Sequence, residues 1–260
     1  MQGEPFSDEL TKRLARARSV VVLTGAGISA ESGIATFRDA GGIWSKFRPE
    51  ELANVEAFLA NPDLVQGWYR ERKRIASEAQ PNPGHEALVT LEAEVEDFTL
   101  ITQNVDNLHR RAGSQNVVEL HGNITRSYCI DCNASYEEQG EQSEPDLNAA
   151  ARCEDCGGLI RPDVVWFGEL LPADAIEQAF QAARRASVCL SIGTSAVVYP
   201  AADVPLAART NGAYVAEINV EPSAIAAMLN ETVLGRSGKV LPCLADAALQ
   251  ARQSMNQQAS

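Results

Sequence analysis

Apolar and polar positions along the chain follow two periods, which predict strands separated by helices. Short apolar runs of the length of buried strands occupy residues 20–23, 98–102, 117–120, 187–193 and 213–219. Apolar residues spaced three and four positions apart predict helices at 10–17, 51–60, 63–79 and 85–94, with further helical segments before the last two strands. Strands that alternate with helices favour a parallel sheet covered on both faces. We therefore predict an α/β fold.

Polar or glycine-rich segments follow five of these apolar runs, at 24–27, 103–106, 121–123, 193–195 and 219–221. Ligands of parallel sheets bind beyond the carboxyl ends of the strands, so we expect these segments to line one crevice. Gly25 and Gly27 let backbone N–H groups approach an anion, and the following helix start adds a positive dipole end. This segment therefore indicates a phosphate site. Because Ala30 stands where Gly-x-Gly-x-x-Gly needs its third glycine, the sequence disfavours a dehydrogenase.

Two Cys-x-x-Cys pairs, Cys129 with Cys132 and Cys153 with Cys156, are separated by 20 residues. Two such pairs supply four soft thiolates, which satisfy a tetrahedral Zn²⁺ and leave no open position for water. The residues between the pairs are acidic and polar, so a metal is the plausible organiser of this segment. The alternatives are disulfides and a redox dithiol; the first is disfavoured in a cytoplasmic chain and the second does not need two pairs. We predict one structural zinc per chain.

The 260 residues are enough for one α/β domain or for a large domain that carries a small one. A formal net charge of −13 disfavours a broad nucleic-acid surface, which needs clustered positive charge. No apolar run approaches the roughly 20 residues of a membrane span, and residues 1–19 lack the apolar centre of a signal peptide. We expect a cytoplasmic protein that binds neither nucleic acid nor membranes.

Several motifs together resemble the sirtuin family of NAD-dependent protein deacylases in their order and spacing. They are Gly25-Ala26-Gly27-Ile28-Ser29, Thr36-Phe37-Arg38, Gln103-Asn104-Val105-Asp106, His121-Gly122 and the four cysteines. The resemblance implies a Rossmann-like NAD domain at 1–123 and 161–260, a small zinc-binding lobe at about 124–160, and a helical insertion at about 40–80. It also implies that NAD is consumed as a co-substrate and that the partner is an acylated lysine of another protein. We expect a monomer.

The resemblance assigns roles to individual residues. His121 is implied as the general base, although an isolated histidine at a strand end is more often a hydrogen-bonded surface group. The implied substrate-backbone strand is 164–169, with Val165, Phe167 and Gly168 as contacts. His85 and His109 are expected to be structural. The implied NAD-binding residues are Gly25, Ala26, Gly27, Ser29, Thr36, Phe37, Arg38, Trp44, Gln103, Asn104, Asp106, Gly193, Thr194, Ser195, Asn219, Glu221 and Ser237.

Tyr69 and Arg72 resemble the Tyr-x-x-Arg motif of class III sirtuins, which remove succinyl, malonyl and glutaryl groups from lysine. Residues i and i+3 share a helix face, so a phenol and a guanidinium can bind one carboxylate together. The alternative is that the arginines around Arg72 form a solvated basic face and that Tyr69 is partly buried. Ala35 and Asp39 depart from the family pattern, and the negative charge of Asp39 would disfavour an acidic acyl group.

The family mechanism implies that the acyl oxygen attacks the ribose carbon and nicotinamide leaves. His121 then takes a proton from the ribose hydroxyls, and the second hydroxyl attacks the imidate carbon. Water then releases lysine and 2′-O-acyl-ADP-ribose. Two other functions stay open at this point: mono-ADP-ribosyl transfer to a protein, and a non-enzymatic zinc-ribbon adaptor. The adaptor would not need five polar strand ends around a cleft.

Overall fold

The structure, a computed structural model, describes residues 5–34, 49–137 and 150–259. The strands in these residues are β1 (Ser19–Thr24), β2 (Asp97–Thr102), β3 (Val117–Glu119), β4 (Gly122–Cys129), β5 (Ser135–Tyr136), β6 (Ile160–Val164), β7 (Val188–Ile192), β8 (Tyr214–Asn219) and β9 (Glu231–Leu234). Six of them form a parallel sheet in the order β3-β2-β1-β7-β8-β9. The other three form an antiparallel sheet in the order β5-β4-β6. The α/β prediction is confirmed.

The helices lie before the first strand, between the strands and after the last strand. They are α1 (Asp8–Arg16), α2 (Ala26–Ser29), α3 (Pro49–Leu52), α4 (Val55–Ala60), α5 (Pro62–Glu78), α6 (Pro83–Glu94), α7 (Leu108–Ala112), α8 (Ala173–Arg185), α9 (Asp203–Thr210) and α10 (Ser237–Ala259). Alternate residues of β1 enter two apolar clusters: Val22 packs with α1, α6 and α10, and Leu23 packs with α8 and α9. The parallel sheet is therefore buried on both faces, as predicted from its continuous apolar runs.

A third apolar cluster joins α4 and α5 to the antiparallel sheet. Phe58 and Val65 of these helices pack with Ile124 of β4 and Val164 of β6. Gln66 of α5 adds polar contacts, because its amide bonds the backbone of residues 151 and 160. The helices at 49–78 thus pack against the small sheet. The domain boundaries given above stay a prediction.

One predicted helix is divided in the structure, and several elements were not predicted. The helix predicted at 51–60 is split into α3 and α4, because Asn54 caps α4 by accepting a hydrogen bond from Ala57 N at 2.8 Å. The strands β4, β5, β6 and β9 and the long helix α10 were not predicted. Within the described residues, no helix is both long and apolar enough to cross a membrane.

Candidate active site

Two glycine-containing loops touch at the carboxyl edge of the parallel sheet. Gly25 N donates to Ile192 O at 2.9 Å, and Gly27 N donates to Gly193 O at 2.8 Å. A Cβ atom added at Gly27 would lie 2.7 Å from the Cα of Gly193, whose φ is +60°. Glycine is therefore needed because two backbones meet. The N–H groups of Gly25 and Gly27 themselves donate to carbonyl oxygens of this chain.

A buried polar cluster lies between the ends of β1 and β2. Ser29 Oγ donates to Asp106 Oδ2 at 2.7 Å, and Asn104 Nδ2 donates to Ser29 Oγ and to Gly25 O, each at 3.1 Å. Burial raises the pKa of Asp106, while hydrogen bonds from Leu108 N and Ser29 partly offset the rise. The predicted residues Ser29, Asn104 and Asp106 thus form one hydrogen-bonded unit.

The ends of β2, β7 and β8 are joined in the same way. Gln103 Nε2 donates to Thr194 Oγ1 at 3.1 Å, and Asn219 Nδ2 donates to Thr194 O at 3.0 Å. Ser195 follows Thr194 on the same loop, and its carbonyl accepts from Ala224 N. The structure therefore brings together the segments that follow these three strands, as predicted.

His121 lies in the link between the two sheets, two residues after the end of β3 and directly before β4. Its Nδ1 is 2.9 Å from Gln103 O, and its own carbonyl accepts a hydrogen bond from Val165 N at 3.0 Å. Because a carbonyl can only accept, Nδ1 carries the proton and Nε2 carries the lone pair. Burial lowers the pKa of His121, although the bond to Gln103 opposes that shift. The imidazole is therefore neutral at pH 7.

Polar residues on either side of His121 fix this link. Asn123 Nδ2 donates to Glu119 Oε1 at 2.8 Å, and Glu119 also accepts from Arg110 and Arg126. Burial alone would raise the pKa of Glu119, but these three hydrogen bonds hold it below its ordinary value. Sequence reasoning did not identify this group, although Glu119 and Asn123 stand two positions from His121.

Two buried histidines lie beneath the glycine loop. His109 Nε2 is 2.9 Å from Thr24 Oγ1, which donates to Thr102 Oγ1 at 2.8 Å. The His85 and His109 rings are 4.8 Å apart, and His85 Nδ1 accepts from Asn82 N at 3.3 Å. Burial lowers the pKa of His85 to about 4 and that of His109 well below its ordinary value. Both are neutral buried groups, consistent with the predicted structural role.

Tyr69 and Arg72 share one face of α5, next to an aromatic cluster. The guanidinium carbon of Arg72 lies 4.5 Å from the centroid of the Trp68 ring and 5.6 Å from that of Tyr69. Trp166 Nε1 donates to the Tyr69 hydroxyl oxygen at 2.8 Å. Tyr69 is buried and Arg72 is half-buried. Desolvation lowers the pKa of Arg72 and Tyr69 opposes that shift, but a guanidinium stays charged at neutral pH.

The segment 164–169 was predicted to be a strand, and this is wrong beyond its first residue. The strand β6 ends at Val164, and a turn follows in which Gly168 adopts a φ of +88°. Val165 N donates to His121 O and Phe167 N donates to Ala53 O, so the backbone of this segment is anchored at both residues. The Phe167 side chain is 50% exposed. An apolar surface therefore stands beside His121.

Some predicted residues lie apart from this cluster. Ser237 is buried at the start of α10, where its hydroxyl is 3.4 Å from Glu31 Oε1. Glu221 is exposed beyond β8. Ala35, Thr36, Phe37, Arg38, Asp39 and Trp44 lie outside the described residues.

The four predicted metal ligands converge at the end of the antiparallel sheet. Their sulfur atoms all lie within 4.8 Å of one another; the Cys129–Cys156 and Cys132–Cys153 separations are 3.4 and 3.7 Å. Tetrahedral Zn²⁺ with Zn–S bonds of about 2.3 Å requires sulfur separations of about 3.8 Å. The cluster therefore fits a structural zinc and is too open for disulfides.

Two backbone knuckles hold these sulfurs. Asn133 N donates to Cys129 O and Gly157 N donates to Cys153 O, and both donor residues have positive φ. A Cβ atom at Gly158 would lie 2.8 Å from Cys129 Sγ. The equivalent turns explain why both pairs have the same spacing.

Comparison with known proteins identifies the family. The model of the Sir2 family matches residues 25–200, which cover the glycine loops, His121 and all four cysteines. The chain belongs to the Sir2 family. The predicted resemblance to sirtuins is thus confirmed.

Sir2 relatives align over most of their length. An NAD-dependent protein deacylase of Aquifex aeolicus is 53% identical over 207 residues, which are 80% of this chain and 85% of the relative. A crystal structure of a Sir2 homologue–NAD complex has a TM-score of 0.89 at 42% identity and covers 97% of each chain. A Sir2 complex with a deacetylated p53 peptide and 3′-O-acetyl ADP ribose has a TM-score of 0.81 at 34% identity, covering 92% of this chain and 96% of that one.

Proposed function

We propose that this Sir2-family chain is an NAD-dependent protein deacylase that removes acetyl and especially acidic acyl groups from lysine. The products are the protein with an unmodified lysine side chain, nicotinamide and 2′-O-acyl-ADP-ribose. One observation carries the proposal: Gln103 holds the neutral imidazole of His121 at the edge where the ends of β1, β2, β7 and β8 meet. A general base is effective only when geometry places it at the reacting group.

His121 has the protonation state that this role requires. Its Nδ1–H is fixed by Gln103 O, which leaves Nε2 to take a proton from a ribose hydroxyl. The lowered pKa keeps Nε2 unprotonated at neutral pH. The Val165 N–H bond to the His121 carbonyl ties the base to the segment that we assign to the substrate peptide.

The ends of the parallel strands are assigned to NAD. The fit rests on the two loops that meet at Gly27 and Gly193 without room for a Cβ atom, and on the polar cluster beside them. The Sir2 homologue of similar fold binds NAD. When bound, NAD supplies a glycosidic bond that releases nicotinamide and a ribose that receives the acyl group. The described residues assigned to NAD are Gly25, Ala26, Gly27, Ser29, Gln103, Asn104, Asp106, Gly193, Thr194, Ser195, Asn219, Glu221 and Ser237.

The acyl-lysine is assigned to the space between Phe167 and the aromatic cluster of α5. A related Sir2 protein binds a deacetylated peptide, and Val165, Phe167 and Gly168 supply backbone and apolar surface beside His121. Tyr69 and Arg72 face this cluster together, which supports binding of an acyl carboxylate by a phenol and a guanidinium. The proposed preference for succinyl, malonyl and glutaryl groups rests on these two side chains.

The deacylase assignment is tested by incubating the protein with NAD and matched acetyl-, succinyl-, malonyl- and glutaryl-lysine peptides. We expect stoichiometric nicotinamide and acyl-ADP-ribose with at least one peptide. The His121→Ala variant should lose about 100-fold or more of the rate, since it lacks the general base. No nicotinamide release with any peptide would sink the assignment.

The acyl preference is tested by Arg72→Met, with Arg74→Met as the matched control. Arg74 lies on the same helix but is exposed and paired with Glu71 and Glu78. Loss of a charge-assisted bond should lower kcat/KM for the succinyl peptide about 10- to 100-fold, and the acetyl value should change little. A proportional change in both peptides, or the same effect from Arg74→Met, would contradict the carboxylate site.

A further inference from the structure

Trp166 contacts the proposed acyl site through its indole nitrogen. Its Nε1–H donates to the hydroxyl oxygen of Tyr69 at 2.8 Å, although the two residues are 97 positions apart. Trp166 is 2% exposed and Tyr69 is 4% exposed, so water does not compete for this bond. The indole N–H of Trp166 therefore determines the orientation of the Tyr69 hydroxyl group.

The bond fixes which partner Tyr69 can take. Its oxygen accepts from Trp166, so the phenol proton turns away from the indole. In the described part of the chain, this is the one hydrogen bond that the hydroxyl makes. Burial raises the pKa of Tyr69 to about 12, so the proton is retained at neutral pH. Tyr69 is thus left as a donor, which suits a carboxylate acceptor.

The indole is itself held from two sides. The guanidinium carbon of Arg161 lies 3.7 Å from the centroid of the Trp166 ring, and the Phe58 ring is centred 5.0 Å away. Glu169 accepts from Arg161 Nη1 at 2.6 Å and from Trp166 N at 2.7 Å. Because Glu169 neutralises Arg161, this arginine acts as a stacking partner for the indole and not as an acyl ligand.

We infer that Trp166 is a positioning residue for acyl selectivity, which orients the Tyr69 hydroxyl as a donor to the carboxylate of an acidic acyl group. Arg161 and Glu169 hold the indole in the orientation that this bond requires. The inference rests on the proposed acidic-acyl preference. An acetyl group has no carboxylate to accept the proton, so its removal does not depend on the indole N–H.

A double-mutant cycle tests this inference in the full-length protein. The ratio of kcat/KM for succinyl- and acetyl-lysine peptides is measured for wild type, Trp166→Phe, Tyr69→Phe and the double variant. We expect the ratio to fall about 10-fold in Tyr69→Phe and about 3- to 5-fold in Trp166→Phe, from typical hydrogen-bond contributions. In the Tyr69→Phe background, Trp166→Phe should leave the ratio unchanged, because its target hydroxyl is absent.

Two further variants separate this role from a packing effect. Replacement of Trp166 by benzothienylalanine keeps the bicyclic shape without the N–H, so it should reproduce the fall in the ratio even if Trp166→Phe folds poorly. Tyr128→Phe removes the hydroxyl of a ring centred 5.4 Å from the guanidinium carbon of Arg161, and it should leave the ratio at its wild-type value.

The outcomes distinguish the two proposals. A wild-type ratio of one or less overturns the acidic-acyl preference and, with it, the selectivity role of Trp166. A high wild-type ratio with independent effects of Trp166→Phe and Tyr69→Phe overturns the inference alone. An unchanged ratio in the variant that carries benzothienylalanine at position 166 would also overturn the inference alone.

Discussion

The two sheets of this protein are stabilised by different means. The parallel sheet lies between two extensive apolar clusters, with Val22 facing one and Leu23 facing the other. At the cysteine end of the antiparallel sheet, the buried residues of the local cluster are Cys129, Cys153 and Ile160. Two of these three are candidate metal ligands. The first sheet therefore has an apolar core on both faces, whereas the cysteine end of the second sheet, beyond its contacts with α4 and α5, needs the metal to complete its core.

Removal of one thiolate should break this contrast most strongly. Cys156→Ser should abolish stoichiometric zinc binding, because it leaves three thiolates for an ion that takes four ligands. Structural zinc in small modules contributes on the order of 10 kcal/mol of apparent binding energy, so its loss should destabilise this end of the sheet. We expect the amides of β4 and β6 near the cysteines to lose hydrogen-exchange protection, while β1 and β2 keep theirs. Zinc content and exchange measured by mass spectrometry check this result.

Cys243→Ser serves as the control, because this cysteine is exposed on α10, away from the cluster. It should keep full zinc content. Unchanged exchange in β4 and β6 of metal-free Cys156→Ser would show that the small sheet is stable without zinc and would remove the contrast.

The region around the parallel sheet should lose unfolding free energy in acid. Burial lowers the pKa of His85 from 6.5 to about 4. Below pH 6.5 the unfolded chain binds a proton that the folded chain does not, so stability is present above 6.5 and is lost as pH falls toward 4. A shift of this size corresponds to about 3 kcal/mol of unfolding free energy. Urea unfolding between pH 7 and 4 measures the loss.

His85→Gln isolates this contribution, since acid also protonates zinc-bound thiolates. Any effect at the cysteines is shared by wild type and variant, so it cancels in the difference between their pH profiles. The variant should show a shallower fall in stability. Parallel profiles would mean that His85 is protonated in the folded state and would contradict its buried, neutral description.

The sequence predicted best where a single physical signal dominates. The runs that became β1, β2, β7 and β8 are mostly apolar because both faces of their sheet are covered, and the cysteine spacing reflects two equivalent turns. Polar residues at the ends of these strands were predicted to converge, and hydrogen bonds join them. The resemblance to sirtuins placed His121 at this edge.

Other features depend on contacts between distant segments. Strand β6 contains Arg161, Pro162 and Asp163, which have no strand periodicity; its pairing with β4 and its contacts with α5 place it. The hydrogen bond between Trp166 and Tyr69 joins the segment after β6 to helix α5, and nothing in the sequence indicates that these two segments are in contact. The need for glycine at position 27 also has a reason that only the structure shows, because the backbone of Gly193 packs against it.

The smallest expected effect concerns the ion pairs at the junction between the two sheets. Arg126 of β4 bonds Asp163 Oδ2 at 2.7 Å and Glu119 Oε2 at 2.9 Å, but its side chain is 50% exposed. Half-exposed ion pairs usually contribute below about 1 kcal/mol, and Glu119 keeps its bonds to Arg110 and Asn123 without it. Arg126→Gln should therefore change urea unfolding by less than about 1 kcal/mol and leave acetyl-peptide kcat nearly unchanged. A larger loss in both would mean that charges, and not the backbone bond from Val165 to His121, hold the base between the sheets.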